Sequence, residues 1–556
     1  MPAFRTSNFR SNWKNGLEAV GMFVDDLLEP FAPRMSNKRR AARSQKRIIE
    51  RREQVVMQAF EAGIQNDKLR GDKWLKSGLS TDSVLDEELT TLRRNSNEIY
   101  RTCGFGTAAI ENRTNNVVGS GIRPQARVLS NKTIGLDKAR ATRINRQLEA
   151  LYEQLSPHVG AGGRQSLWQI QRLAQRSWLR DGEVFVVFSD VARDSKPIPL
   201  QVNLVAAERC TTPTDGATVK TTDGGSFKFD NRYKSTRLGI QKDGDDIVGY
   251  YFRDQSPGDT ENPEETWTFY SVDRVCHLFE QLWVDQTRGL PWLFSVINLF
   301  KDFKDFREAV LTSANVAACM TAIVSGPNPE QIKNNTIDEN GRVQMEAGSF
   351  LFVGDDAEVS NFSPSPPSTN AEVFNHEVLI EMCAALCEPY SWLTGNRKGQ
   401  SYSSGKLDEI DGRVPVEIQQ KTHSDLWLFD LWQRLVQQAV LFTTLVEITP
   451  AEWLANQHHF TRHVWLGPGR PLLDASKEGP ALIKLIDANL ITKASVHARF
   501  GEDSDQIFRQ RGREIRLERL YGCEPPDQNN VRPSNTAQPL PEDDDDEPLD
   551  EDGDEA

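Results

Sequence analysis

A chain of 556 residues is too long for one hydrophobic core, which stops growing near about 250–300 residues, so roughly two to four domains are expected. No apolar run reaches the roughly eighteen residues of a membrane span, and the opening MPAFRTSNFRSNWKNG has neither the apolar core nor the cleavage site of a signal peptide, so neither a membrane partner nor secretory export is expected. The net charge of −14 is concentrated at one end: the last fifteen residues, EDDDDEPLDEDGDEA, carry eleven acidic groups and leave the rest of the chain at only −3.

Basic charge gathers near the start. The run RMSNKRRAARSQKRIIERR, residues 34–52, holds nine Lys or Arg against one Glu. Such a run suits nucleic acid or an acidic partner, although a solvated helix face is the plainer reading, and residues 1–52 are taken as a basic arm. Residues 53–115 read as helices with a polar interruption at NDKLRGDKWLKSG. In NNVVGSGIRPQARV, Gly119 and Gly121 lack the third glycine and the preceding strand of a dinucleotide site, and predict a tight turn into an extended segment. Residues 137–179 are helical again, broken at SPHVGAGGRQ.

From Gly182 the pattern shortens. EVFVVFSD, LQVNLVAAER, GIQKDGDDIVGYYF and WTFYSVDRVCHLFE are β-rich runs between turn clusters, with a hairpin signal at Asp243-Gly244, and predict a small antiparallel β unit. Helical spacing then returns: Pro291 suits a first helical position, and Leu293, Ile297, Phe300, Val310, Ala314 and Ala317 recur without a breaker before Gly326. A continuous helix over 291–324 would be about 50 Å long at about 1.5 Å per residue.

A turn-rich insertion follows at 325–368, with strand-like SFLFV and EVSNF and the rigid SPSPPS. A second helix is expected from Thr369, where Thr369 and Glu372 suit a capping box and Phe374, Val378, Met382 and Leu386 share a face, until Pro389 closes it. After a loop, Pro415 is expected to start an aromatic-rich helix through LWLFDLWQRLVQQAVLF. The region 449–522 reads as helical, and 523–556 is too poor in apolar residues to fold.

Chemistry is harder to find. GNRKGQSYSSGKL, residues 395–407, approaches a phosphate-binding loop, but five residues instead of four separate Gly399 from Gly405, and Leu407 stands where a metal-binding hydroxyl belongs. HEVLI at His376 lacks the second histidine of a zinc-protease helix. His459 and His463 have the spacing to share a helix face, with His458 beside them, but no third ligand is indicated, so structural histidines are the plainer reading. Of seven scattered cysteines, Cys383 and Cys387 form one close pair and read as buried core thiols; the odd count fits a reducing cytoplasm. No catalytic residue, metal site or cofactor emerges, and the residues favour an architectural protein.

Five segments taken together resemble the lambda-type phage portal proteins: NNVVGSGIRPQ (115–125), RDGEVFVVF (180–188), LFEQLWVDQTRGLPWLFSVINLFKDFKDFREA (278–309), LTGNRKGQSYSSGK (393–406), and the stretch from VWLGPGRP to QRGREI (464–515). Their order, more than any one motif, carries the resemblance. It implies an α+β, mainly α, portal-type architecture: a wing at 53–289 with the small β unit, a first stem helix at 290–324, a small α/β clip at 325–368, a second stem helix at 369–389, a tunnel loop at 390–406, a wing helix at 407–448, a helical crown at 449–522 and a disordered acidic tail at 523–556.

The resemblance also implies a homo-oligomeric ring, typically a dodecamer, at one capsid vertex of the virion, assembled in the host bacterial cytoplasm. Double-stranded DNA would pass through its channel, and the terminase large subunit, the major capsid protein and scaffold, and a head-tail adaptor would be its partners. Arg397 and Lys398 would then touch DNA phosphates in the tunnel loop, with Gln400 and Tyr402 beside them. The competing classes are a terminase-like packaging enzyme, which needs an intact P-loop after a strand, and another structural virion protein.

Overall fold

The computed structural model describes residues 80–194, 196–230, 235–256, 266–319, 323–325, 358–360 and 369–523. The expectations for the basic arm, for most of the 325–368 insertion and for the acidic tail lie outside these residues. Two units divide the chain, residues 1–468 and 469–556.

In the first unit, α1 (Thr81–Thr102) and α2 (Gly104–Val117) meet at an elbow where Cys103 is extended. The chain then turns through Gly119 and Gly121, both at positive φ, into β1 (Arg123–Ala126), the turn and extended segment that the glycine pattern predicts. Helices α3 (Lys138–Leu155) and α4 (Leu167–Asp181) follow. Their starts are fixed by side chains that satisfy the free amides of a first turn: Asp137 accepts from Arg140 N, and Ser166 and Gln169 form a reciprocal capping box.

The expected antiparallel β unit is instead two sheets. One is three-stranded and antiparallel, in the order β10 (Val275–Phe279), β2 (Glu183–Asp190), β3 (Leu200–Ala206). The other has six strands, in the order β5 (Ser226–Lys228), β4 (Thr218–Thr221), β9 (Thr266–Ser271), β8 (Asp246–Arg253), β7 (Ile240–Asp243), β6 (Ser235–Arg237). The hairpin at Asp243-Gly244 is present, with Asp243 paired to Asp246 across a turn in which Gly244 has φ +64°. The pair β4–β9 is parallel, which turn signals between consecutive strands cannot reveal because the partners are far apart in sequence.

The single helix expected over 291–324 is also corrected. Residues 292–296 form turns, and α5 spans Ile297–Cys319, 23 residues or about 35 Å. The reason lies at its start: Trp292 N donates to Leu179 O at the end of α4, which docks the segment before it can wind. Past α5, β11 (Ile323–Ser325) pairs antiparallel with β12 (Glu358–Ser360) and closes the base of the insertion. Helix α6 (Thr369–Leu386) returns beside α5, with the rings of Phe306 and Phe374 4.7 Å apart.

A short helix α7 (Tyr390–Thr394) leads to the loop 395–401 and then to α8 (Tyr402–His423). Here too the structure corrects the sequence: Pro415 lies inside α8 instead of starting a helix. Ser401 and Ser404 form a capping box that starts α8 thirteen residues earlier, and the proline removes one internal amide without ending the helix. The helix runs on through a π-turn (Ser424–Leu428) into α9 (Phe429–Phe442). After α10 (Pro450–Phe460), the strand β13 (His463–Leu466), which the sequence reading takes as helical territory, pairs with β1.

Two apolar clusters position the helix pair and the long helix, beside smaller ones within the sheets. The larger joins α3, α4, β2 and β3 to the inner face of α9, with Trp427 and Trp432 almost fully buried. The second joins α1 and α2 to the near ends of the helix pair through Leu293, Phe300 and Phe303 on one side and Leu379, Met382 and Leu386 on the other. The second unit contains α11 (Ala475–Asp487), α12 (Lys493–Arg499) and α13 (Ser504–Leu520), capped by Asp474, Thr492 and Asp503.

Candidate functional site

The loop 395–401 hangs between α7 and α8, and its shape is set by its own backbone hydrogen bonds. Gly395 is left-handed at φ +68° and ends α7; Gly399 follows at φ +80°. Asn396 Oδ1 accepts from Lys398 N at 3.0 Å, and Gln400 N donates to Arg397 O at 3.2 Å. Ser401 N and Ser404 N are taken up in the capping box, and Gly405 N donates to Ser401 O. A phosphate cradle needs such amides pointing outward, and here they are turned into the loop itself. The near-miss to a P-loop therefore has a geometric reason.

Of the four residues singled out by sequence, the structure exposes Arg397 and Lys398 together at the loop tip and leaves Tyr402 exposed at the first turn of α8. Gln400 plays a different part: its Nε2 donates to Asp408 Oδ2 at 2.6 Å. The same oxygen accepts from Ser391 Oγ at 2.7 Å. Asp408 thus ties the two ends of the loop together from inside α8. Neither Ser391 nor Asp408 had a signal in the sequence, because their pairing depends on α8 beginning at Tyr402.

Beneath the loop, Trp392 and Pro389 pack so closely on α8 that a Cβ at Gly412 would lie 2.9 Å from each. Asn112 Nδ2 donates to Trp392 O at 2.5 Å, which fastens the root to α2. Next to it, Arg113 and Glu388 form a buried ion pair at 3.0 Å. Arg113 also donates to Leu386 O and Cys387 O at the end of α6, and its guanidinium sits 4.9 Å over the Trp292 ring. Burial pushes the Glu388 carboxyl up to about 7, although Arg113 pulls the other way.

A second charged centre anchors the segment before α5. Glu183, at the start of β2, accepts from Arg93, Arg288 and Gly289 N and contacts His277 Nε2 at 2.9 Å. Burial alone would raise its pKa, but Arg288 and Arg93 hold the carboxyl well below the usual carboxylate range. Arg288 further donates to Ala207 O, Cys210 O and Leu238 O, so it joins both sheets to the stretch leading into α5.

The other candidates resolve as structure. His459 lies on α10 and its Nε2 is 2.8 Å from Leu129 O, whereas His463 lies on β13 with Nδ1 2.7 Å from Thr461 O; the helix ends between them, so they share no helix face. Cys383 is buried as expected, but Cys387 is exposed, because it takes the left-handed conformation (φ +50°) that terminates α6 and swings it off the helix face. Among the described residues no group of three or more His, Cys, Asp or Glu is arranged to hold a metal, and no helix is long and apolar enough to cross a membrane.

Comparison with known proteins gives a family. The family described as phage portal protein, lambda family, matches residues 67–420. Portal protein B of Escherichia phage lambda is 22% identical over 494 residues, covering 82% of this chain and 88% of that protein. The probable portal protein of Halomonas phage phiHAP-1 is 23% identical, covering 84% of this chain and 88% of its own length. A chain in the neck of a native gene transfer agent particle, solved with C12 symmetry, covers 74% of this chain at 11% identity and a TM-score of 0.37. With nearly two thirds of its length inside the family match and the helix pair, loop and long helix in one continuous order, the chain belongs to the lambda family of phage portal proteins.

Proposed function

We propose that the chain forms a closed ring of twelve subunits around one channel, through which double-stranded DNA is packaged into and ejected from the capsid. The observation that carries this reading is the family match over residues 67–420, joined to a helix pair with exposed apolar side chains: Leu311 on α5 and Val373, Phe374 and Ile380 on α6. A soluble chain rarely leaves such faces open, and contact between copies covers them. In this reading residues 53–289 form the wing, α5 and α6 the stem, 325–368 the clip, 390–406 the tunnel loop, the helix through 407–448 the return through the wing, and 449–522 the crown.

The action is mechanical. A terminase large subunit docks at the clip and drives DNA inward, major capsid protein and scaffold surround the ring during assembly in the host cytoplasm, and a head-tail adaptor later takes the terminase's place. Arg397 and Lys398 meet passing phosphates as point charges, few enough to guide without holding, since each phosphate contact adds salt-dependent affinity. Tyr402 lines the same turn, and Gln400 keeps the tip in place through Asp408.

Negative-stain images of the purified full chain test the ring: rings with a central hole are expected, and a monomer that hydrolyses ATP overturns the reading in favour of a packaging enzyme. Arg397→Ala with Lys398→Ala should leave rings intact while DNA packaging or retention falls. Loss of ring assembly in that variant would assign the loop a purely structural part.

A further inference from the structure

The first half of α8 carries an apolar ridge that none of the described residues covers. Leu407, Ile410, Val414 and Ile418 are 60%, 53%, 58% and 56% exposed. Their spacing of three, four and four residues puts them on one face, a strip about 16 Å long. Single exposed aliphatic residues are ordinary, but a contiguous row on one helix face is a contact surface. Asp411 and Glu417 flank it, one on each side.

Elsewhere on the same unit is a groove of about 620 Å³ between the α1–α2 elbow and α5. Its floor is Phe105 packed edge-on to Phe303, with ring centroids 5.7 Å apart, and its walls include Leu393 and the 61% exposed Leu311. Lys304 and Arg307 stand along it with Glu308, which leaves its rim net basic. Asp411 and Glu417 on the ridge are opposite in sign to Lys304 and Arg307 on the groove, while Lys421 at the ridge's far end is paired with Asp425, and ridge and groove are different surfaces of one chain.

We propose that in the assembled ring the α8 ridge of one subunit seats in the α1–α2/α5 groove of the next copy. This rests on the ring reading above. Because the two surfaces differ, the contact is head-to-tail: each copy offers its ridge to one neighbour and its groove to the other, the arrangement that closes into a ring when the rotation per subunit divides a full turn. The seat also puts the root of the loop, whose Leu393 lines the groove, directly under a neighbour's helix, so adjacent loops are held by one another's subunits.

The half-buried Cys103, which lines the groove, provides the test. In the full chain with the exposed Cys387 and Cys523 replaced by alanine, Leu407, Ile410, Val414 and Ile418 are each replaced by cysteine, one at a time, and treated with a short bismaleimide. At least one variant should give a ladder of covalently joined subunits on a denaturing gel, abolished by Cys103→Ala. A ladder that survives Cys103→Ala, as ridge-to-ridge pairing would give, or rings in the microscope with no ladder from any variant, overturns the seat while leaving the ring. Wild-type chain that stays monomeric at every concentration overturns both. As a second measure, Val414→Asp and Leu311→Asp should each keep the wild-type far-ultraviolet circular dichroism but raise the concentration for half-assembly roughly tenfold or more. Unchanged assembly in both also overturns the seat.

Discussion

The buried pair at the root of the loop makes stability depend on pH in an unusual direction. Glu388 has its carboxyl pushed up to about 7 by burial, against an ordinary value of 4.5. A carboxyl whose folded pKa is raised binds its proton more tightly in the folded state, so its favourable contribution is fully present below about 4.5 and is lost as pH rises through about 7. The shift corresponds to about 3 kcal/mol, of which about 2 kcal/mol is already lost by pH 6. The geometry explains why the cation beside it does not suffice: Arg113 Nε reaches only Oε1, while Glu388 Oε2 and Arg113 Nη1 have no hydrogen-bond partner. Other groups there titrate too, since burial also raises Glu280, which feels Arg113, and the Cys383 thiol, which feels Glu388.

The perturbation is Glu388→Gln, and the assay is the urea midpoint of the full chain at pH 5, 6, 7 and 8. Wild type should lose stability from pH 5 to 8, and the glutamine variant should be flatter by about 2.5 kcal/mol over that span, leaving the residual slope of Glu280. Arg113→Met should move the wild-type loss to higher pH, because the carboxyl then has burial without a cation. Parallel pH profiles for wild type and Glu388→Gln would refute the reasoning, as they would mean that the ionised pair is as well solvated in the folded chain as outside it.

Other perturbations test the remaining joints. Glu183→Gln should cost about 3–5 kcal/mol, because Arg93 and Arg288 are left buried without their counter-charge, and the loss should appear as a lower urea midpoint at neutral pH. Gly182→Ala should cost roughly 2–4 kcal/mol in thermal or urea melts, since the residue sits at φ +89° and the added Cβ would meet the backbone of Leu290 and Pro291. Asp408→Ala should unfasten both ends of the loop and speed tryptic cleavage after Arg397 and Lys398 roughly tenfold, with rings and global stability little changed.

What the sequence disclosed, and what it hid, follows from the range of each interaction. Helical runs at 137–179 and from Thr369 were legible because their apolar spacing is local. Turn glycines at 119, 121 and 244 were legible for the same reason. The parallel β4–β9 pair, β13 against β1 and the docked start of α5 were not, since each is decided by a partner tens to hundreds of residues away. At the site, the basic tip could be read directly. Its fastening could not, because a proline at 415 signals a helix start and so hides the turn of α8 carrying Asp408. The segments behind the family resemblance have a physical meaning that only the fold shows: RDGEVFVVF and DQTRGLPW contribute Gly182, Glu183, Arg288 and Gly289, which meet at one buried junction.

That junction and the root of the loop anchor the two members of the helix pair at the same end, one at the start of α5 and the other at the finish of α6. Glu183 and Arg288 clamp the chain entering α5 to both sheets, whereas Arg113 and Glu388 clamp the chain leaving α6 to α2. The first clamp is satisfied at both oxygens of the carboxylate, with Arg93 and Arg288 on Oε1 and Gly289 N and His277 on Oε2. The second leaves one polar atom on each partner unpaired and lies within a few residues of Pro389, Trp392 and the loop. Of the two clamped termini, the finish of α6, which is joined to the loop, is therefore the more easily shifted. A displacement of α6 relative to α2 would pull against the Asn112 tie that fastens Trp392 to α2, and Asp408, which spans Ser391 and Gln400, couples that root to the tip bearing Arg397 and Lys398, while Glu183 holds the start of α5 to the sheets.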